Sequence, residues 1–391
     1  MKRVVAVAVV VLLLAGCTAP PTVAPPPAAS PERALARYTD PIRTYADRRL
    51  SVMTLDQKIA SMLMVHVPGT DAAAIGSTAA GYGLGGVILM GDNVPDPASA
   101  LADMTPVIAG EPGLPVLIAM DQEGGIVRRI KTDVGPAAAQ LRNDSPDAAR
   151  AAFLDRGALL QSVGVTVNFG IVADVTADTS SFIYSRTMGN TPDEAAPRVA
   201  AAVEGEAGEV LSTLKHFPGH GVAPGDSHSS IPSTGISLDD WRAGHESPFA
   251  AGIDAGAEFV MFGHLQFDAI DPVPATLSLA WHDLLRDELG FDGISITDDM
   301  NMLENSGRPE YANQAANAVA AVAAGNTMLL YVQGVDVPTV VGAIRDAVLA
   351  GTIDPSVVDD AAHRLLVLRR TLSGQTGPFA HCFEECLAVI E

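Results

Sequence analysis

Basic residues are scarce in this chain. Lys and Arg number 24 against 46 Asp and Glu, a formal net charge of −22 over 391 residues. So large an acidic excess argues against a nucleic-acid partner, whose phosphates need a basic surface to neutralise them. The same sign repels anionic membrane surfaces and suits a soluble, monomeric, exported body. No apolar run reaches the roughly 20 residues that a membrane span requires. Charged residues make up only 18% of the chain, aromatics 5%, and cysteine is confined to three positions. Nearly half of the residues are apolar, at 48%, enough for a sizeable core. The length fits one large domain or two average ones.

The chain begins with a targeting pattern. Lys2 and Arg3 precede an apolar stretch, Val4 to Leu14, closed by Leu14-Ala15-Gly16-Cys17. The stretch is too short to span a bilayer. It reads as an ordinary signal peptide with an incidental cysteine, or as a lipoprotein leader. Small residues directly before Cys17 resemble the bacterial lipobox, in which that cysteine is lipidated. The uncharged Pro/Ala-rich sequence that follows cannot bury a core and behaves as an extended tether. The expected layout is a leader over 1–16, a tether over 17–35, a catalytic domain over 36–375 and a tail over 376–391. The expected location is the extracytoplasmic face of a cell membrane, with the lipid as the membrane contact. Cys382 and Cys386 form an even remainder outside the cytoplasm, which suggests a disulfide. Their spacing would need the local helix to be distorted or absent. A metal pair with His381 is the weaker alternative.

From Leu50 onward, short apolar runs alternate with longer Ala-rich ones. Candidate strands are 61–67, 86–90, 116–120, 165–169, 211–215, 259–263, 293–297 and 327–332. They are continuous rather than alternating, as parallel strands covered on both faces are. Helices are expected over 147–163, 193–210, 238–255, 279–289, 309–324, 337–350 and 355–372. Eight strand–helix units predict an α/β fold, a single-domain TIM (β/α)8 barrel; a doubly wound open sheet has the same alternation. Polar residues recur at strand ends: Asp92, Asn93, Asp121, Asn168, Asp174, Lys215, His216, His264 and Asp298. In a barrel these ends converge on one mouth.

The densest chemistry lies in Lys215-His216-Phe217-Pro218-Gly219-His220-Gly221, continuing through Asp226-Ser227-His228. The run follows an expected strand, where a rigid scaffold aims a loop. It resembles the signature of family 3 glycoside hydrolases of the bacterial β-N-acetylglucosaminidase type, exo-acting enzymes of cell-wall recycling. Met120-Asp-Gln-Glu-Gly-Gly125 with Arg129, Ser185-Arg186-x-Met188-Gly189 and Thr297-Asp298-Asp299-Met300 match in the same order. Ile126, where relatives often carry Arg, and the segment 222–225 depart from the pattern. The resemblance spans roughly residues 50 to 370. The wider family often adds a second α/β domain; too few residues follow Leu372 for one, so the single-domain form is expected. The resemblance implies no cofactor and a carbohydrate substrate ending in GlcNAc.

Retaining glycoside cleavage needs a nucleophile and an acid/base group. By resemblance, Asp298 is the nucleophile, although an Asp at that place also suits a helix N-cap. Asp299 reads as its structural partner. His228 takes the place of the usual second carboxylate, since imidazole exchanges protons near neutrality. Asp226, two residues before it, can hold and stabilise the ring. Both also read as solvated loop residues. Zinc ligation by His216, His220, Asp226 and His228 is a rival, although short chelating spacing on a helix is absent; no metal is expected. Asp121 can accept bonds from two sugar hydroxyls. Arg129, Arg186, Lys215 and His216 are the corresponding sugar ligands by resemblance, and His264 is either a further contact or a satisfied buried histidine. Two other readings stay open: a β-N-acetylglucosaminide phosphorylase and a non-catalytic sugar-binding lipoprotein.

Overall fold

Short runs of Val, Ile, Leu and Met separated by amphipathic stretches bury best as parallel strands inside a ring of helices. The computed structural model describes residues 40–379, together with the backbone of 381–382 and 388–389. The leader, Cys17, the tether and Cys386 lie outside the described residues, as does the side chain of Cys382, so the expected disulfide does too.

All eight expected strands form: β1 (Leu63–Val65), β2 (Gly86–Leu89), β3 (Leu117–Met120), β4 (Val167–Val172), β5 (Leu211–Phe217), β6 (Phe259–Phe262), β7 (Ile294–Asp299) and β8 (Met328–Tyr331). Each pairs in parallel with its neighbour, and β1 pairs with β8 through Leu63 opposite Leu329. That last pairing closes the barrel and removes the open-sheet alternative.

The outer helices start where capping chemistry says they should. Ser145 and Thr191 cap helices Pro146–Ser162 and Pro192–Glu206, each with Pro at the first position. Proline fits there because its missing N–H has no partner in that turn. The expected helices 238–255 and 279–289 are interrupted by π turns at Arg242–Glu246 and Leu284–Glu288. In the first, Pro248 has no N–H to continue the ladder. The expected helix 309–324 begins only at Gln314. There the Asn313 side chain accepts the Ala316 N–H and marks the true start.

Three register shifts sit on the strands that carry the polar ends. They fall between β4 and β5, between β5 and β6 around Leu214–Phe217, and between β7 and β8 around Ile296–Asp299. Such irregularities re-aim side chains at a barrel rim. Behind β5 the few aromatics are pooled. The Phe217 ring meets those of Phe262, Phe249, Trp281 and Trp241 edge-on, at centroid distances of 5.1, 5.2, 5.9 and 6.0 Å. Trp241 Nε1 also donates to the Pro218 carbonyl at 2.7 Å, which pins the start of the loop. Phe217→Ala is therefore expected to cost about 3–5 kcal/mol of stability, read as a lower urea midpoint at unchanged slope.

Candidate active site

The barrel mouth holds a cavity of about 390 Å³. Asp121, Arg129, Arg186, Lys215, His216, Ser227, His228 and Asp298 line it, contributed by the ends of β3, β5 and β7 and by the loops after β3, β4 and β5.

Asp121 follows β3 directly. Its carboxylate receives Arg129 Nη2 at 2.7 Å and Lys215 Nζ at 2.9 Å. Burial opposes its charged form, but Lys215 and Arg129 outweigh burial and hold the carboxyl far below its ordinary range. Arg129 is aimed by a small hairpin, Gln122–Gly124 against Val127–Arg128. Gly124 and Gly125 turn it with φ of 86° and 62°, a left-handed region that glycine enters without strain. The Gln122 side chain accepts the N–H groups of Arg129 and Ile130, and Arg129 rather than its neighbour Arg128 lines the cavity.

Glu123 was not among the residues expected from the sequence. It is 5% exposed and bridges two cations. Arg186 grips it with two bonds of 2.9 and 2.6 Å, and Lys215 Nζ lies 2.7 Å away. Lys215 thus sits between two carboxylates with its side chain only 3% exposed. Burial disfavours its charge, yet Asp121 and Glu123 raise its pKa above the ordinary lysine value. The result is a fixed fan of charged donors with little freedom to reorganise, which suits recognition of hydroxyl groups.

Asp174, beyond β4, is the second residue whose role the sequence concealed. It appeared there only as one polar strand end among many. It is fully buried and accepts three bonds: His216 Nδ1 at 2.7 Å, His216 N at 3.2 Å and His220 N at 2.6 Å. Arg186 Nη2 lies 3.3 Å from His216 Nε2 and can only donate, so that nitrogen accepts and the ring proton faces Asp174. Burial would raise the Asp174 carboxyl, but His216, together with His220, brings it down to about 2. A free Asp titrates near 3.9. A depressed carboxyl adds stability above its unfolded value and loses it as pH falls through the folded one. Asp174 is expected to contribute about 2 kcal/mol at neutral pH, fading between about pH 5 and pH 2. In urea titrations across that range, Asp174→Asn should lose this part of the acid slope.

The loop carrying His228 is rooted by close packing. A Cβ on Gly221 would lie 1.9 Å from the Val175 carbonyl, so only glycine lets the loop approach there. His220 is buried and bonds Ser227 Oγ through Nε2 at 3.0 Å. Burial lowers its pKa to about 4. At the tip, Asp226 Oδ1 accepts from His228 Nδ1 at 2.6 Å and from His228 N at 3.0 Å. The His228 side chain is 65% exposed.

Asp298 is the penultimate residue of β7, half-buried and facing the cavity. Burial works against its charge, while His216, His264, the Asp299 N–H and Lys215 pull its pKa below the ordinary value. Asp299 accepts the N–H groups of Val332 and Asn301, and burial pushes it up to about 6. His264 does not line the cavity. Its ring bonds the Asp299 carbonyl at 2.9 Å and Thr276 Oγ1 at 2.9 Å, so it backs Asp298 as a satisfied buried histidine instead of reaching the sugar. Among the described residues, no group of three or more His, Cys, Asp or Glu converges as a metal site. The four residues of the zinc alternative are instead parted among Asp174, Ser227 and the Asp226–His228 bond.

Strand-end carboxylates, a cationic fan and an imidazole–carboxylate loop in one barrel mouth make a saccharide-cleaving site. Residues 54–368 match the glycosyl hydrolase family 3 N-terminal domain.

The chain belongs to glycoside hydrolase family 3.

The enzyme is 31% identical to beta-hexosaminidase LpqI of Mycobacterium tuberculosis over 325 residues, which cover 80% of this chain and 82% of that one. It is 35% identical to a beta-hexosaminidase of Methylococcus capsulatus over 280 residues, 69% of this chain and 81% of the other. A family 3 β-N-acetylglucosaminidase structure from Paenibacillus superposes with a TM-score of 0.76 at 28% identity, covering 87% of this chain and 66% of that longer one. The LpqI structure superposes with a TM-score of 0.73 at 29% identity, covering 82% and 94%. This glycoside hydrolase therefore shares its barrel with enzymes named for N-acetylhexosamine chemistry.

Proposed function

We propose that the enzyme is a retaining exo-β-N-acetylglucosaminidase that removes terminal GlcNAc from peptidoglycan fragments. One observation carries the reading. A single cavity joins an aspartate held in its charged form at a strand end to a histidine whose Nδ1 is bound by Asp226. The other ring nitrogen, Nε2, is then the one available for proton transfer.

In the first step Asp298 attacks the anomeric carbon while His228 Nε2 gives its proton to the departing oxygen. The C–O bond to the leaving group breaks, and an ester forms between sugar and Asp298. In the second step His228 takes a proton from water, the hydroxide attacks the same carbon, and Asp298 leaves. Two inversions leave the β configuration. Asp226 stabilises the imidazolium formed when His228 takes the proton from water. Asp121, Arg129, Arg186, Lys215 and His216 hold the hydroxyls of the terminal sugar. Asp121, gripped by Arg129 and Lys215 at one end of the cavity, supports exo action, because a charged cluster of this kind suits the free hydroxyl edge of a terminal ring.

The test is release of GlcNAc from a GlcNAc-terminated muropeptide, followed by NMR. β-GlcNAc as the first anomer is the expected result. α-GlcNAc would overturn retention, and GlcNAc 1-phosphate formed in phosphate buffer would make the enzyme a phosphorylase. The Leu14-Ala-Gly-Cys17 leader supports a lipid anchor on an extracytoplasmic membrane face. Cys17→Ala is expected to abolish acylation, read as loss of detergent partitioning. An unlipidated mature wild-type N-terminus elsewhere would remove the anchor.

A further inference from the structure

Aromatics are few in this chain, and one lines the cavity beside His228. Phe182 is the one Phe, Tyr or Trp among the described residues that line the cavity. Its ring is half-buried and stands edge-on to two histidines, His220 at 4.4 Å and His228 at 6.1 Å between centroids. The backbone that presents it is held firmly. Ile183 beside it is fully buried, and Tyr184–Arg186 form a short 3-10 turn. The Arg142 guanidinium lies 3.8 Å from the centre of the Tyr184 ring. It also donates to the Thr187 carbonyl and hydroxyl at 3.1 and 2.7 Å.

The polar residues at the other end of the cavity, with Glu123 behind them, are arranged differently. Asp121, Glu123, Arg129, Arg186 and Lys215 bond one another in a single charged cluster. A hydroxyl-rich terminal sugar belongs there. Phe182 offers no hydrogen bond, but its flat face suits the C–H face of a second ring. On the mechanism proposed above, His228 gives its proton to the leaving oxygen, so a group packed beside His228 meets the leaving group.

We propose that Phe182 is the platform of a leaving-group subsite that takes the apolar face of a pyranose, and that it sets the enzyme's preference for saccharide over small aryl aglycones. This rests on the proposed glycosidase reading. It assigns Phe182 a contact that exists only before the first bond breaks. Once the glycosyl-enzyme has formed and the leaving group has gone, Phe182 has nothing left to hold. A ring that merely positioned His228 would matter in both steps.

The experiment compares the full chain with Phe182→Leu, Phe182→Ala and Phe182→Tyr. Two substrates are used: the disaccharide N,N′-diacetylchitobiose, and a dinitrophenyl β-N-acetylglucosaminide whose kcat reports deglycosylation. Phe182→Leu keeps most of the volume and loses the flat face, so it guards against a folding defect in the alanine variant. Both non-aromatic variants are expected to lose about tenfold in kcat/KM on the disaccharide, from the scale of aromatic contacts. Their kcat on the dinitrophenyl substrate should stay within about twofold, and Phe182→Tyr should retain both activities. Equal losses on the two substrates, or a slowed deglycosylation, would overturn the subsite and make Phe182 a support for His228. A wild-type chain that releases GlcNAc from neither substrate would instead overturn the glycosidase reading itself.

Discussion

Asp298→Ala is expected to lower kcat on an aryl β-N-acetylglucosaminide by on the order of 10⁵-fold, the scale on which loss of a covalent nucleophile acts. The physical case rests on its difference from Asp299. Asp298 is surrounded by His216, His264 and Lys215 and stays charged, whereas burial pushes Asp299 up to about 6. Asp299 is also occupied with the Val332 and Asn301 N–H groups. Sugar affinity should survive the change, because the charged cluster of Asp121, Arg129, Arg186 and Lys215 is untouched. A fluorinated donor that slows the second step should label Asp298, and azide should partly rescue the alanine variant by filling the vacated side of the sugar. A label found on Asp299 or Glu123 would refute the assignment.

The second large effect is expected at His228. General acid/base catalysis supplies about 10²–10⁴-fold, so His228→Ala should lose that much on saccharide substrates, whose leaving oxygen needs a proton. Activated aryl glycosides need little protonation, and their first step should suffer far less. Their second step should still slow, since the same ring activates water. Asp226→Ala should give a milder version of both losses. Folding should hardly respond: the Asp226–His228 pair is half-exposed, and such pairs contribute little to stability. An unchanged melting temperature beside a leaving-group-dependent rate loss is the combined signature. Equal losses on poor and good leaving groups would remove His228 from proton transfer, and chelator sensitivity would revive a metal role.

Much of the barrel was legible because its strands obey a local rule. A run buried on both faces is mostly apolar without alternation, and the eight runs follow that pattern, with polar residues such as Asn168, Lys215 and Asp298 among their exceptions. The helices were less legible at their interruptions, where Pro248 and Asn313 act through single missing or added hydrogen bonds that a periodicity does not register. At the site, Asp121, Arg129, Arg186, Lys215, His216, Asp226, His228 and Asp298 stood out by residue type and order, and the fold brings all but Asp226 to the cavity lining itself. Asp226 reaches the site through His228. Glu123 lay inside the Met120-Asp-Gln-Glu motif, yet nothing local distinguished a buried, paired carboxylate from a surface one. Burial between Lys215 and Arg186 does so, and those partners are 92 and 63 residues away in the chain.

By itself, the sequence determined the alternation of elements, the acidic surface and the chemical types gathered at strand ends. Those are properties of composition and spacing, set before any long-range contact exists. Only the tertiary structure decided that the sheet closes, because closure is the pairing of Leu63 with Leu329 across nearly the whole domain. It also decided which histidine does what. His216 is bound to Asp174, His220 to Ser227, His264 is sealed behind Asp298, and His228 stays open to the cavity. The four share one side chain, and what separates their chemistry is burial and the partner each meets, which the closed barrel sets.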